Sequence, residues 1–338
     1  MRAFNDSAPP QYAVEIDALA KTYVGSSKMP PKRALKNISL NIPQGSFFAL
    51  LGPNGAGKST LINILAGLVV KTSGTARIWG YDIENDMRAA RRSIGVVPQE
   101  LNIDPFFTPR EMLELQAGMY GVPRSERRTD EILKAIGLED KAGAYARTLS
   151  GGMRRRLLVG KAMVHAPRVL VLDEPTAGVD IQLRRQLWDY VKELNARGTT
   201  ILLTTHYLEE AEELCDRVAI INHGRLIACD TTKSLLGGID SKALTFTLSA
   251  PLDAVPDTLS AFEATLSEPN TLSIQFPPSQ TSASEVVAAV QSAGLVFTDL
   301  TSEEVELEDI FLKLTRASEN DEDDETQSKC ETTRRRAP

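Results

Sequence analysis

The sequence predicts an α/β fold: a mostly parallel, helix-covered sheet with an N-terminal antiparallel β subdomain, a helical insertion and a small α+β appendage. Three observations predict it. The runs 47–51 (FFALL) and 170–172 (LVL) are apolar without alternation, as strands buried on both faces are. A glycine-rich turn follows the first run and leads into a helical stretch at Lys58. From 153 to 230, helix-like and strand-like stretches alternate, the pattern of strands joined by crossover helices.

The elements follow in chain order. Residues 13–51 break into strand-like runs at 14–18, 38–42 and 47–51, separated by Gly, Pro and Ser. A helix is expected from Lys58 to about Leu68, then strands at 75–79 and 93–97. The helical insertion covers about 100–150. Thr108-Pro109-Arg110-Glu111 reads as a capping box with proline at the first helical position, and Gly121 closes that helix. A second helix is expected over 125–136, stopped by Gly137. Helix 153–165, strand 168–172, helix 182–196, strand 199–205, helix 207–216 and a hairpin over 217–230 complete the core, with Asn222-His223-Gly224-Arg225 as the hairpin turn. Leu183, Leu187, Trp188, Val191 and Leu194 give helix 182–196 its core face. Beyond 239, the runs 243–248, 271–276, 284–293, 295–300 and 307–314 read as β, β, α, β, α. These boundaries give a disordered start at 1–12, a core domain at 13–238, an accessory domain at 239–316 and a disordered charged tail at 317–338, where few apolar residues are available for a core.

Length and composition narrow the class. A chain of 338 residues with 42% hydrophobic content suffices for one large domain and one smaller one. A net charge of -7 argues against nucleic acid as a partner, since phosphate backbones select basic surfaces. Cys215, Cys229 and Cys330 are too scattered for a disulfide framework or zinc site and fit a reducing, cytoplasmic compartment. The first eleven residues lack a signal-like apolar stretch, and the longest apolar run, 61–70, is too short and broken to span a bilayer. Any membrane role therefore has to come from another subunit. His165 and His223 are expected at the surface or at helix ends.

The chemistry concentrates in two turns and one strand end. Gly52, Pro53, Asn54, Gly55, Ala56, Gly57, Lys58, Ser59 and Thr60 match the phosphate-binding pattern G-x4-G-K-[ST]. Glycines let the backbone curl so that successive N–H groups face phosphate oxygens. Lys58 adds a positive charge for the β- and γ-phosphates, Ser59 a hydroxyl for Mg²⁺, and the helix its positive end. Strand 168–172 leads into Asp173 and Glu174. Strand neighbours point to opposite faces, so the two carboxylates are expected to have different tasks: Asp173 to hold Mg²⁺, Glu174 to polarise the attacking water. Ser150, Gly151 and Gly152 open a basic helix and repeat the physics of the first turn: a hydroxyl, exposed N–H groups and a helix N-terminus.

In this order and spacing the motifs resemble the nucleotide-binding subunit of an ATP-binding cassette (ABC) transporter over about residues 13–237, with Walker A at 52–59, Walker B at 169–174 and the signature at 149–153. The resemblance implies a P-loop ATPase with ATP and Mg²⁺ as cofactors. It implies that Gln99 senses Mg²⁺ and the membrane partner, Tyr23 stacks on adenine, Asp180 belongs to the D-loop, and His206 contacts the γ-phosphate. It also implies a dimer, in which Ser150, Gly151 and Gly152 of one copy cover the nucleotide held by the other. Met153 stands where many members have Gln. With the stretches 176–180 and 205–212, this is similar to the ABC-2 type export group, whose ATPases serve a separate permease and lie on the inner face of the cell membrane through it. The alternative is a soluble ABC ATPase acting on ribosomes or DNA. Such proteins carry two cassettes or a long coiled-coil insertion, and neither is visible in this sequence. A P-loop GTPase would need an Asn-Lys-x-Asp guanine reader, which is also lacking.

Overall fold

The computed structural model describes residues 9–25, 30–176, 181–237, 242–259, 262–304 and 307–315. The tail from 317 onward, the first eight residues and the 177–180 stretch containing Asp180 lie outside them. Two compact units emerge, one holding the described residues through Thr231 and the other those from Thr232.

The first unit contains two sheets. Strands β1 (Tyr12–Tyr23) and β2 (Lys32–Pro43) pair antiparallel. After β3 (Phe47–Leu51) and α1 (Lys58–Leu65), β4 (Ser73–Ile78) and the short β5 (Tyr81–Asp82) complete an antiparallel sheet in the order β2-β1-β4-β5. Tyr12 already belongs to β1, one residue before the expected start of the core domain, and the carbonyl of Pro10 accepts a hydrogen bond from the Gln44 side chain. Helix α2 (Met87–Ser93), not foreseen, leads into β6 (Ile94–Val97).

The helical insertion contains α3 (Pro109–Met119) and α4 (Thr129–Ala135). Both reciprocal bonds of the Thr108–Glu111 capping box form, and Gly121 exits α3 with φ 72°. The second helix starts later than expected. Residues 124–126 form only a 3₁₀ turn and Arg127 is extended, its guanidinium donating to Val122 O at 3.2 Å and pairing with Glu114. Helix α5 (Gly151–Met163), β7 (Val169–Asp173), α6 (Ile181–Ala196), β8 (Thr200–Thr204), α7 (Leu208–Leu214), β9 (Arg217–Asn222) and β10 (Arg225–Thr231) follow. The second sheet runs β10-β9-β3-β8-β7-β6, parallel except for the terminal β9–β10 hairpin. Every residue of β3, β7 and β8 is buried, which explains their unbroken apolar runs. Helix α6 packs Leu187, Trp188, Val191 and Leu194 inward, each such burial contributing roughly 1.5–3 kcal/mol.

His165, just beyond α5, takes the helix-end position of the two expected and is half-buried. Its ring stacks on Tyr120 with centroids 3.7 Å apart, and its Nε2 lies 3.0 Å from the Ile94 carbonyl, joining the helical insertion to the strand end. Burial lowers its pKa to about 4. Because the folded-state value is depressed, the imidazole stabilises the fold above the unfolded-state pKa near 6.5, and that contribution is lost as pH falls through about 4. Relative to His165→Asn, the wild-type chain is expected to lose about 3 kcal/mol of unfolding free energy between pH 7 and pH 4. Parallel pH dependences for the two proteins in urea unfolding would contradict this assignment.

The second unit holds α8 (Thr232–Gly237), β11 (Lys242–Leu248), β12 (Glu263–Glu268), β13 (Thr271–Phe276), α9 (Ala283–Ser292), β14 (Phe297–Glu304) and α10 (307–315). Its antiparallel sheet runs β12-β13-β11-β14, and α9 lays Val286 and Val290 on the core formed by Leu244, Phe246, Leu272 and Ile274. Strand β12 escaped the sequence reading because its apolar residues, Ala264 and Leu266, are few and only half-buried.

Candidate nucleotide site

The β3–α1 turn is a formed cradle. Gly55 and Gly57 have φ of 81° and 112°, in the left-handed region that side chains disfavour. A Cβ on Gly57 would also lie 2.7 Å from the Ala34 carbonyl oxygen and 2.8 Å from Leu35, whereas one on Gly55 would point into open space. The rear wall comes from the β9–β10 hairpin. Gly224 donates its N–H to Ala56 O at 2.9 Å and accepts from the Lys36 N–H at 2.7 Å, and a Cβ there would sit 2.5 Å from the Ala34 carbonyl oxygen. Ala56 is buried, Gly52, Pro53 and Thr60 are half-buried, and Asn54 and Ser59 are exposed. No side chain caps the N-terminus of α1, so its first-turn N–H groups suit an anion.

A buried cation, Lys58, and two carboxylates stand around this turn. Lys58 Nζ donates to the carbonyls of Gly52 at 2.5 Å and Pro53 at 3.1 Å. Burial pushes its pKa down, opposed by the charges of Glu174 and Asp173. Asp173, at the end of β7, accepts a 2.5 Å hydrogen bond from Thr204 Oγ1, and burial pushes its carboxyl pKa up. Glu174 lies one residue past the strand with φ 47°. The two carboxylates therefore diverge through a left-handed turn after the strand rather than through strand alternation, a correction to the sequence argument. The Glu174 N–H is held by Thr204 O at 3.0 Å and Oγ1 at 3.2 Å. Its Oε2 accepts from Gln99 Nε2 at 2.7 Å and lies 3.5 Å from His206 Nδ1. Glu174, Gln99 and His206 thus meet in one cluster, although 75 residues separate Gln99 from Glu174.

Other sequence-derived candidates lie nearby or apart. Tyr23, 39% exposed, ends β1 opposite Lys32, two residues before Ala34 in the cradle wall, and Lys21 Nζ sits 4.9 Å from its ring centroid. Ser150 caps α5 by accepting from the Met153 N–H at 3.2 Å. Gly151 is exposed, and a Cβ there would meet no atom within 4 Å. Asp180 lies outside the described residues.

Sequence reasoning missed Thr204, Arg155 and Glu210. Arg155, 4% exposed, reaches from α5 to the carbonyls of Pro98 at 2.9 Å and Gln99 at 2.8 Å, tying the signature helix to the Gln99 loop. Burial lowers its pKa against the raising effect of Asp173 and Glu174. Its place in a run of three arginines was the one available signal, and such a run usually reads as a solvated face. Thr204→Val keeps the shape while removing the Asp173 donor and a Glu174 N–H acceptor. It is expected to destabilise the fold by roughly 1–3 kcal/mol, the penalty for an unsatisfied buried polar group, and to reduce ATP hydrolysis. Wild-type thermal stability and turnover in that variant would remove Thr204 from this role.

A left-handed glycine cradle at a helix N-terminus, backed by a buried lysine and by a carboxylate pair at the end of β7, defines a P-loop ATPase. Comparison with known proteins narrows the class. The ABC transporter family model matches residues 35–177. The daunorubicin/doxorubicin resistance ATP-binding protein DrrA of Streptomyces peucetius is 42% identical over 237 residues, 70% of each chain. The Nod factor export ATP-binding protein I of Paraburkholderia xenovorans is 42% identical, covering 67% of this chain and 73% of the relative. Among solved structures, the ATP-binding cassette MJ0796, captured as a dimer in a post-hydrolysis state with ADP and Pi, superposes with a TM-score of 0.59 at 29% identity, covering 65% of this chain and 98% of that one. The chain belongs to the ABC transporter family as an ATP-binding subunit, and its activity is ATP hydrolysis.

Proposed function

We propose that this chain is the motor of an ABC-2 type exporter: two copies close around Mg-ATP, and closure drives a separate permease in the cell membrane. The observation that carries the dimer is the signature turn. Ser150 caps the start of α5, and Gly151 is exposed with open space where a side chain would stand. A surface of another copy's bound nucleotide would complete them, and a similar cassette found among solved structures is a dimer. The names of the relatives, a resistance and an export ATP-binding protein, support transport over the alternative of a soluble ATPase on ribosomes or DNA.

In this reading the N–H groups of residues 55–60 and the Lys58 ammonium hold the β- and γ-phosphates, and Tyr23 stacks on adenine. Ser59, Asp173 and Gln99 hold Mg²⁺, which supplies positive charge to the phosphate oxygens when bound. Their hard oxygen donors fit that ion. Glu174 orients the attacking water and takes its proton, while His206 contacts the γ-phosphate. Gln99 donates to Glu174 in this structure, so its engagement with the cation would also release the base. Asp180 and residues 150–152 of one copy face the nucleotide of the other.

No described helix is long and apolar enough to cross a membrane. In this reading a separate permease holds the chain at the inner face of the membrane. A patch beside the Gln99 loop suits a helical cytosolic segment of that permease. Phe106 is 69% exposed and Tyr145 49%, and the Arg147 guanidinium lies 5.9 Å and 5.1 Å from their ring centroids. Backbone bonds from Ala146 to Phe107 and from Arg147 to Pro105 hold the two segments together. Phe106→Asp is expected to abolish co-purification with the permease while leaving ATP hydrolysis by the isolated chain within about twofold, since an exposed substitution rarely disturbs the fold. Undiminished co-purification would exclude the patch as the docking surface.

A further inference from the structure

Glu210 is a carboxylate with an unusual position. Of the four glutamates on α7, Glu209, Glu212 and Glu213 are exposed, while Glu210 is 7% exposed and turned inward. A buried charge persists only where partners meet it. Its Oε2 accepts from Thr176 Oγ1 at 3.1 Å and from Thr205 Oγ1 at 2.9 Å, and its Oε1 lies 3.6 Å from Arg184 Nε.

These partners surround the reacting cluster. Thr176 lies two residues after Glu174, and Thr205 immediately precedes His206. One carboxylate oxygen therefore clips the chain leaving β7 to the chain leaving β8. Arg184 also sits over the Tyr207 ring, 4.6 Å from its centroid, and that ring packs on His206 with centroids 4.1 Å apart. The circuit closes where His206 Nδ1 lies 3.5 Å from Glu174 Oε2.

We propose that Glu210 is a positioning residue for hydrolysis: by clipping Thr176 to Thr205 it sets Glu174 and His206 relative to each other, while Arg184 balances its charge and braces Tyr207 against His206. It acts through Glu174 and His206, by way of its contacts with Thr176, Thr205 and Arg184. The inference rests on the roles given above to Glu174 and His206. Small displacements of such groups cost far more in rate than in affinity, which separates this role from a purely structural one.

The test is steady-state ATP hydrolysis by the purified full-length chain, with nucleotide affinity and thermal stability measured alongside. Glu210→Ala is expected to lower kcat by about ten- to a hundredfold with KM within about threefold, because positioning errors near 1 Å act at that scale. Glu210→Gln still offers one oxygen to both hydroxyls and is expected to restore kcat to within about fivefold of wild type. Thr205→Ser should hold kcat at least about tenfold above Thr205→Val, since only serine keeps the clip. A folded Glu210→Ala protein with kcat within about twofold of wild type overturns the proposal, as do equal rates for the two Thr205 variants. If Glu210→Ala does not fold, the Thr205 pair decides. A Glu174→Gln control separates the two levels: wild-type turnover by that variant sinks the reading of the site, whereas its inactivity alongside an active Glu210→Ala sinks the clip alone.

Discussion

Glu174→Gln is expected to reduce ATP turnover by about 10²- to 10⁴-fold, the usual contribution of a positioned proton acceptor, while ATP binding stays intact. The amide keeps the size of the side chain, can still meet Gln99 and His206, and suits the left-handed backbone at 174 as well as glutamate does. What it cannot do is take a proton from water at neutral pH. With hydrolysis blocked, the two copies should remain joined around nucleotide, so the variant should sediment as a dimer with Mg-ATP and as a monomer without it. Rapid hydrolysis would remove Glu174 as the base. A monomer under saturating Mg-ATP, even beside the permease, would sink the two-copy site.

Lys58→Ala acts on binding instead. Burial holds the Lys58 pKa below its ordinary value, so the charged form is strained without an anion beyond the nearby carboxylates, and a triphosphate relieves that strain. Loss of a charge-assisted contact of about 3 kcal/mol corresponds to nucleotide binding about a hundredfold weaker. The loss should be greater for ATP than for ADP, because in the proposed reading the lysine serves the γ-phosphate as well as the β. Calorimetry showing ATP affinity within about threefold of wild type would count against the site as drawn.

The parts of this site that were legible in the sequence are those whose chemistry is local. Gly55, Gly57 and Lys58 announce themselves because one turn must curl and carry charge within a few residues. The Thr108–Glu111 cap was legible for the same reason, both its bonds spanning three residues. Thr204, Arg155 and Glu210 were not, because each earns its meaning from a partner brought near by the parallel sheet or the insertion: Thr204 from a strand 31 residues away, Arg155 from carbonyls 56 and 57 residues away. The left-handed turn at Glu174 was hidden too, since nothing in the residue type signals it. In the second unit, β12 depends on pairing with β13 for its conformation, and its own composition is too polar to reveal it.

The contact of Gly224 with the back of the phosphate turn has a consequence for how nucleotide is received. Lys36 and Ala56 are hydrogen-bonded to Gly224 and Ala34 lies against it, so the fold itself braces the turn and removes part of the chain entropy that a floppy loop would lose on binding. In the proposed reading, discrimination between ATP and ADP then falls to the number of phosphate charges rather than to loop ordering.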